Sequence, residues 1–194
     1  MAKYILITHQ KGGVGKSTLT FNLAQNICKE AKVLIIDLDA QGSLSQISTI
    51  VSDFKITNDK KYLTEPSDYD FIFIDTPPYL SNELTGLINL SDLIIIPTKA
   101  GVLDLLAIKS TIELIKTENK ANKSLVVFNM IKPNTTLTLD ILIGLKEYEI
   151  PVANTYISDL VAFTRSVLIG GVNNNKNAQQ QLNNLTEEVL TRLI

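Results

Sequence analysis

The chain has 194 residues, 45% of them apolar and 20% charged, with a formal net charge of −2. That length suffices for one well-buried domain and is short for two, and the charge excludes a chain that is basic overall, so nucleic-acid binding would need a local patch. A single cysteine, Cys28, excludes an intrachain disulfide framework and a cysteine-ligated metal or iron–sulfur centre, and no apolar run reaches the roughly 18 residues of a membrane span.

Along the chain, short β-branched runs alternate with longer segments of helical spacing. The runs "YILIT" at 4–8, "KVLIID" at 32–37, "DFIFID" at 70–75, "DLIIIP" at 92–97, "SLVVFN" at 124–129 and "PVANTYI" at 151–157 are predicted strands. Most are apolar on both faces, as buried parallel strands are. The spacing predicts helices over 16–30, 42–49, 81–90, 102–119, 135–148, 158–169 and 178–193. Strands alternating with helices imply right-handed crossovers, hence an α/β fold: one doubly wound, mostly parallel sheet with helices on both faces. The stretches 52–66 and 170–177 read as loops, and no internal repeat is present.

The loop after the first predicted strand, "THQKGGVGKST" at 8–18, comes close to the phosphate-loop pattern G-x-x-x-x-G-K-[ST] and departs from it. Gln10 stands where the first glycine belongs, and a second lysine, Lys11, precedes Gly12 and Gly13. Ligands of open α/β sheets bind beyond the carboxyl ends of the strands, which is where this loop lies. Glycines 12, 13 and 15, with Val14 between, let successive N–H groups turn toward an anion. Lys16 adds a cation, and Ser17, followed by Thr18, offers a Mg²⁺ ligand at the positive end of a helix. A glycine-rich turn without ligand is the alternative, but K-G-G-x-G-K-[ST] should arise by chance on the order of once in tens of thousands of such chains.

Further carboxylates end the apolar strands. "FIFIDTPP" puts Asp75 where a Walker-B carboxylate holds Mg²⁺ through water. "VLIIDLDAQGS" supplies Asp37 and Asp39, two apart and so on one face of an extended chain. A solvated pair of strand-end carboxylates is the plain alternative.

Together, "KGGVGKST", "IIDLDAQGS" and "FIFIDTPP", in this order, resemble the deviant Walker A, A′ and B motifs of the ParA/MinD family of ATPases, and "SDLIIIPT" is similar to the family's next core strand. The likeness covers essentially the whole chain and is strongest to the small, ParF-like ParA proteins of plasmid partition. It implies a P-loop NTPase fold in a single ATPase domain over 1–194, without an N-terminal helix-turn-helix domain. It implies ATP/ADP and Mg²⁺ as cofactors. Position by position, Gly12, Gly13, Val14, Gly15, Lys16, Ser17 and Thr18 would hold the phosphates, and Asn129 of "VFNMIKP" would face the adenine. Ser17, Asp37 and Asp75 would form the Mg²⁺ shell, and Asp39 would orient the attacking water. Lys11 matches the signature lysine that reaches across a nucleotide-sandwich dimer to the other subunit's phosphates, which couples hydrolysis to assembly; a solvated loop lysine is the alternative. Two positions depart from the family pattern. Ala40 replaces a proline, and His9 replaces an asparagine, where a loop-supporting hydrogen bond is preferred to a catalytic role.

The resemblance further implies a homodimer on ATP binding, non-specific binding to nucleoid DNA in the cytoplasm, and a ParB-like centromere-binding partner that stimulates hydrolysis. Between 99 and 132, six lysines face three acids, and Lys99, Lys109 and Lys116, with Arg165 further on, are the candidate DNA contacts. The rival is a MinD-like ATPase held on membrane by its C-terminal helix. Leu182, Leu185, Val189, Leu190 and Leu193 do form a stripe there. The accompanying charges, Glu187, Glu188 and Arg192, do not favour anionic lipid, so packing against the sheet is expected and no membrane partner. An ATP-dependent small-molecule ligase is a third class that shares the loop.

Overall fold

The computed structural model describes residues 2–39, 44–65, 67–79, 83–132 and 137–194, without the side chains of 137–140 and 142. Among them, six strands form one sheet: β1 (Lys3–Ile7), β2 (Val33–Asp37), β3 (Lys55–Thr57), β4 (Phe71–Asp75), β5 (Leu93–Thr98) and β6 (Ser124–Phe128). Their spatial order is β3-β2-β4-β1-β5-β6, with every pairing parallel. The helices are α1 (Lys16–Ile27), α2 (Leu84–Leu90), α3 (Val102–Thr117), α4 (Leu137–Lys146), α5 (Val161–Ile169) and α6 (Lys176–Thr191).

Successive strand residues point to opposite faces, so runs such as "YILI" feed two cores at once. Ile5, Ile7, Ile35, Phe73 and Ile95 pack on one face with Phe21 and Leu23 of α1, Phe163 of α5 and Leu185 of α6. Leu6, Leu34, Ile36, Ile74 and Ile96 pack on the other with Ile88 of α2, Ile108 and Ile112 of α3 and Leu145 of α4. The helix that follows β1 and the helix that follows β4 therefore lie on opposite faces. Because β1 and β4 are neighbours, a crevice opens at their carboxyl ends, as it does wherever the connections of an open sheet diverge.

Three sequence readings need correction. The stretch 52–66 is not only loop. It contains the edge strand β3 and a 3₁₀ turn at Lys60–Leu63 that Asp59 caps by accepting from the Lys61 N–H. The predicted strand 151–157 does not form a ladder: it meets β6 at the bridge of Val126 with Val152 near its start and again near its end, where the Ile157 N–H donates 2.8 Å to the Phe128 carbonyl. Its middle is diverted, since the Asn154 and Thr155 N–H groups donate to the Glu188 carboxylate of α6 (2.9 and 2.7 Å) instead of to a ladder. Of the helix predicted over 42–49, the described part is a 3₁₀ turn at Ser45–Ile47, and Ala40 lies outside the described residues. Elsewhere the elements end within a few residues of expectation, although the predicted starts of 81–90 and 135–148 also fall outside the described residues.

The C-terminal stripe is core. Leu182, Leu185 and Val189 are buried, with Leu193 at the edge and Leu190 packed against them. No described helix is long and apolar enough to cross a membrane. Truncating a fully buried leucine removes its transfer free energy and leaves a cavity. Leu185→Ala should therefore lower stability by about 2–5 kcal/mol, read as a lower urea midpoint with an unchanged slope.

Candidate functional site

The site is assembled by register. In the β2–β4 pairing Asp37 is the direct partner of Asp75, and in the β1–β4 pairing Ile7 is the partner of Asp75. The loop that leaves β1 after Ile7 thus starts level with both carboxylates. Gly13 and Gly15 have φ of 71° and 86°, a left-handed backbone that glycine adopts without strain. Gly15 is the N-cap of α1, no side chain caps that end, and the first intrahelical bond is Leu19 N to Gly15 O. The N–H groups of Lys16, Ser17 and Thr18 therefore have no intrahelical acceptor, and they form the positive end of the helix dipole.

The surroundings hold this loop closely. A Cβ on Gly15 would overlap Asn129 Nδ2 and crowd Met130, so the position excludes alanine on space as well as on φ. Asn129 lies at the end of β6, and its Nδ2 donates 2.8 Å to the carbonyl of Val14, itself buried. Met130 beside it has φ of 56°, a conformation uncommon for a side-chain-bearing residue. Pro78, in the segment after β4, stands 3.7 Å from where a Gly12 Cβ would be. His9 supports the loop as expected: the Lys11 N–H donates 2.8 Å to His9 Nδ1. The imidazole is fully buried, and burial followed by the nearby Lys16 charge holds its pKa down at about 4, so it is neutral at physiological pH.

The two strand-end carboxylates are treated differently. Asp37 Oδ1 accepts from the Asp39 N–H (3.1 Å), and its Oδ2 accepts from the N–H groups of Leu44 and Ser45 (3.2 and 2.8 Å) and from the Ser45 hydroxyl (2.9 Å). It anchors the segment after β2. Asp75 is fully buried, and its Oδ2 has no hydrogen-bond partner among the described residues. Burial pushes its pKa up to about 7, opposed by a hydrogen bond from Ser17; the Asp37 charge raises it further and Lys16 lowers it. Lys16 is itself buried at the mouth of α1, which lowers its pKa, while Asp75 and Asp39 raise it. Thr20 Oγ1 lies 3.4 Å from Asp75 Oδ1.

This donor set fits a hard divalent cation. It offers an orphaned buried carboxylate oxygen beside a serine hydroxyl and open helix N–H groups. Among the described residues no cluster of three or more His, Cys, Asp or Glu could enclose a metal. The set therefore suits Mg²⁺, which is commonly held by one or two protein oxygens together with water and phosphate, more than a structural metal. Next to Thr18 and Asn129 opens a cavity of about 120 Å³, walled by Met130, Asp159, Leu160 and Phe163. Its lining mixes apolar side chains, among them Leu19 and Ile157, with polar ones such as Ser158 and Thr164.

A family model described as the CobQ/CobB/MinD/ParA nucleotide binding domain matches residues 5–171. The chain belongs to this family. It is 26% identical to the maintenance of carboxysome distribution protein A of Halothiobacillus neapolitanus, over 96% of this chain and 95% of that one. Among solved structures, a plasmid partition protein of Borrelia burgdorferi bound to AMPPNP superposes with a TM-score of 0.79 at 20% identity, covering all of both chains. The MinC:MinD cell division protein complex of Aquifex aeolicus superposes with 0.80 at 19%, covering 98% of this chain and 96% of that one. These likenesses confirm the six-stranded P-loop architecture.

The family member thus brings Gly12 to Thr18, Asp37, Asp39, Asp75 and Asn129 to one end of the sheet. It does not gather the four candidate DNA contacts. Lys109 and Lys116 lie on α3, over one face of the sheet, and Arg165 lies on α5, over the other; Lys99 follows the end of β5. Lys109 pairs with Glu113 (3.7 Å), and Lys116 binds the Tyr148 carbonyl (3.1 Å) and Glu149 (3.4 Å). Sequence reasoning missed Met130, Leu160 and Phe163 as cavity walls. It also missed Asp104, which it counted only as an opposing charge and which receives the Lys11 ammonium at 2.6 Å.

Two outcomes follow for the family's site in this chain. Gly15→Ala should weaken binding of a fluorescent ATP analogue at least about tenfold while the circular dichroism spectrum is kept, since the substitution strains φ and strikes Asn129. An acid whose pKa is higher folded than unfolded binds more protons in the native state, so Asp75 costs stability as pH rises from near 4 through about 7. Asp75→Asn should then stabilise the nucleotide-free protein by about 1–3 kcal/mol at pH 8, and urea melts should show the gap closing towards pH 4.

Proposed function

We infer that the protein is a Mg²⁺-dependent ATPase of the ParA type, which forms a sandwich dimer on ATP and hydrolyses it slowly until a partner protein stimulates it. The observation that carries this reading is the pairing of a complete phosphate cradle, from Gly12 to Thr18 with Lys16 over Asp75, with an additional lysine at its rim, Lys11. Binding alone needs one lysine. A second cation delivered by another copy to the transferring phosphoryl group stabilises charge that develops only in the transition state, and it makes hydrolysis depend on assembly.

Each residue has a task in that scheme. The N–H groups at the start of α1 and the Lys16 ammonium bind and orient the phosphates. Ser17 and Asp75 would hold Mg²⁺, which when bound neutralises phosphate charge. Asp37 ties the segment after β2 to the strand ends, and Asp39, two residues on, would orient water. Asn129 fixes the loop from below while lining the base cavity with Met130 and Phe163.

The cargo reading rests on relatives. The Borrelia neighbour is a plasmid partition protein, which supports DNA segregation through non-specific DNA binding by the ATP dimer and a centromere-binding, ParB-like adaptor. The similarity to a carboxysome distribution protein over nearly the whole chain supports a second reading, in which the same ATPase distributes a protein-shelled cargo. A membrane-held, MinD-like role is disfavoured because the C-terminal stripe is occupied by core packing. Lys109 and Lys116 have acidic partners, so Lys99 and Arg165 are the less encumbered of the proposed DNA contacts.

Lys11→Ala and Lys11→Gln should abolish the ATP-dependent increase in mass by light scattering and reduce partner-stimulated hydrolysis about a hundredfold or more. Unchanged dimerisation and turnover would defeat the trans-lysine reading. A gel shift with non-specific duplex at low salt should require ATP and fade as salt rises; binding indifferent to ATP would speak against a DNA track.

A further inference from the structure

Lys11 is not a free loop lysine in this chain. Its Nζ lies 2.6 Å from Asp104 Oδ1, across 93 residues of sequence, and the Asp104 side chain is only 11% exposed. Asp104 sits in the first turn of α3, and the segment bearing Lys11 is fastened to the same helix and to its own loop. The Gln10 N–H donates to Thr111 Oγ1 (3.4 Å), and the Lys11 N–H donates to His9 Nδ1. Among the ion pairs of the described residues, Asp104 has Lys11 as its sole partner.

A lysine that crosses to another copy leaves that carboxylate behind, because Asp104 belongs to its own chain's α3 and does not travel with the side chain. A nearly buried carboxylate stripped of its cation is unfavourable, so the crossing is resisted by the pair that must be broken. We propose that Asp104 is a positioning residue that holds Lys11 in cis, so that the sandwich dimer forms by exchanging this carboxylate for phosphate oxygens on the second copy. The proposal rests on the trans role of Lys11 given above. It makes the ion pair the threshold of assembly: phosphate oxygens, which carry more charge than one carboxylate, displace Asp104, and a dimer face without them does not. Hydrolysis and phosphate loss would return Lys11 to Asp104 and favour separation.

The geometry offers a second handle besides charge. Gly101, the residue before α3, has φ of −124°, which alanine tolerates, yet a Cβ there would come within 2.6 Å of Asp104 Oδ2. Gly101→Ala should therefore push the carboxylate aside without removing it.

The test measures ATP-dependent dimerisation against protein concentration for wild type, Asp104→Asn, Asp104→Glu, Gly101→Ala, Lys11→Ala and the double variant Lys11→Ala/Asp104→Asn, with a thermal melt of each nucleotide-free protein. Asp104→Asn and Gly101→Ala should each shift the midpoint about three- to tenfold toward lower protein concentration. Asp104→Glu, which restores the charge, should return toward wild type, and the double variant should match Lys11→Ala. A purely structural role would lower the melting temperature and move the midpoint the other way. Asp104→Asn dimers that are unchanged or weaker, with Lys11→Ala dimers lost, would overturn the restraint and leave the trans lysine standing. Lys11→Ala dimers that persist would overturn both.

Discussion

Two carboxylates fall side by side at the carboxyl ends of neighbouring strands, and the site follows from how the protein tolerates them. The parallel register of β2 with β4 sets Asp37 directly against Asp75. Like charges on paired residues repel, and for Asp75 burial adds the larger cost. The chain answers asymmetrically. Asp37 is surrounded by N–H and hydroxyl donors, which satisfy both of its oxygens. Asp75 is buried with one oxygen unmatched among the described residues, so its charged form is disfavoured.

The same strand ends explain the crowding around the loop. A phosphate cradle is made of backbone, and backbone is held in place only by what packs beneath it. Here the support comes from distant parts of the chain, Asn129 after β6 and Pro78 beyond β4, and from His9 in the loop's own stem. Each contact limits a different freedom of the loop, and together they hold two left-handed glycines where successive N–H groups converge. Preorganisation of this kind lets the loop bind an anion without first becoming ordered.

How much of this was legible in the sequence depends on the range of the forces involved. Strands β1, β2, β4, β5 and β6 were readable because both of their faces are apolar, a signal contained within five or six residues. The cradle was readable because its glycines and lysine must be adjacent. Strand β3 was not, since Lys55 and Thr57 flank the single inward-facing Ile56, and an edge strand that short has no period to detect. The misreading of 151–157 has the opposite cause. "PVANTYI" has a plausible strand pattern, but Glu188, more than thirty residues away, captures two of its N–H groups. Asp104 had no local signature either, for its meaning lies in a partner on the far side of the sequence. Charge counting along 99–132 likewise could not reveal that α3 and α5 cover opposite faces.

Helix α1 gives one of these features a wider consequence. It carries the cradle at its N-terminus, and polar side chains tie its packed side to three other segments. Asn22 Nδ2 donates to Ser166 of α5 (2.7 Å), Gln25 to Asp53 ahead of β3 (2.7 Å), and Asn26 to Asn183 and Thr186 of α6 (3.2 and 3.0 Å). Apolar packing tolerates a helix that slides or rolls slightly, whereas directional bonds to three separate segments fix its azimuth. The direction of the first helical N–H groups is therefore set together by the segment of Asp53 and by helices α5 and α6. The phosphate loop, though its residues are adjacent in sequence, sits on a helix oriented in part by side chains more than 140 positions further on, so its alignment depends on how α5 and α6 pack.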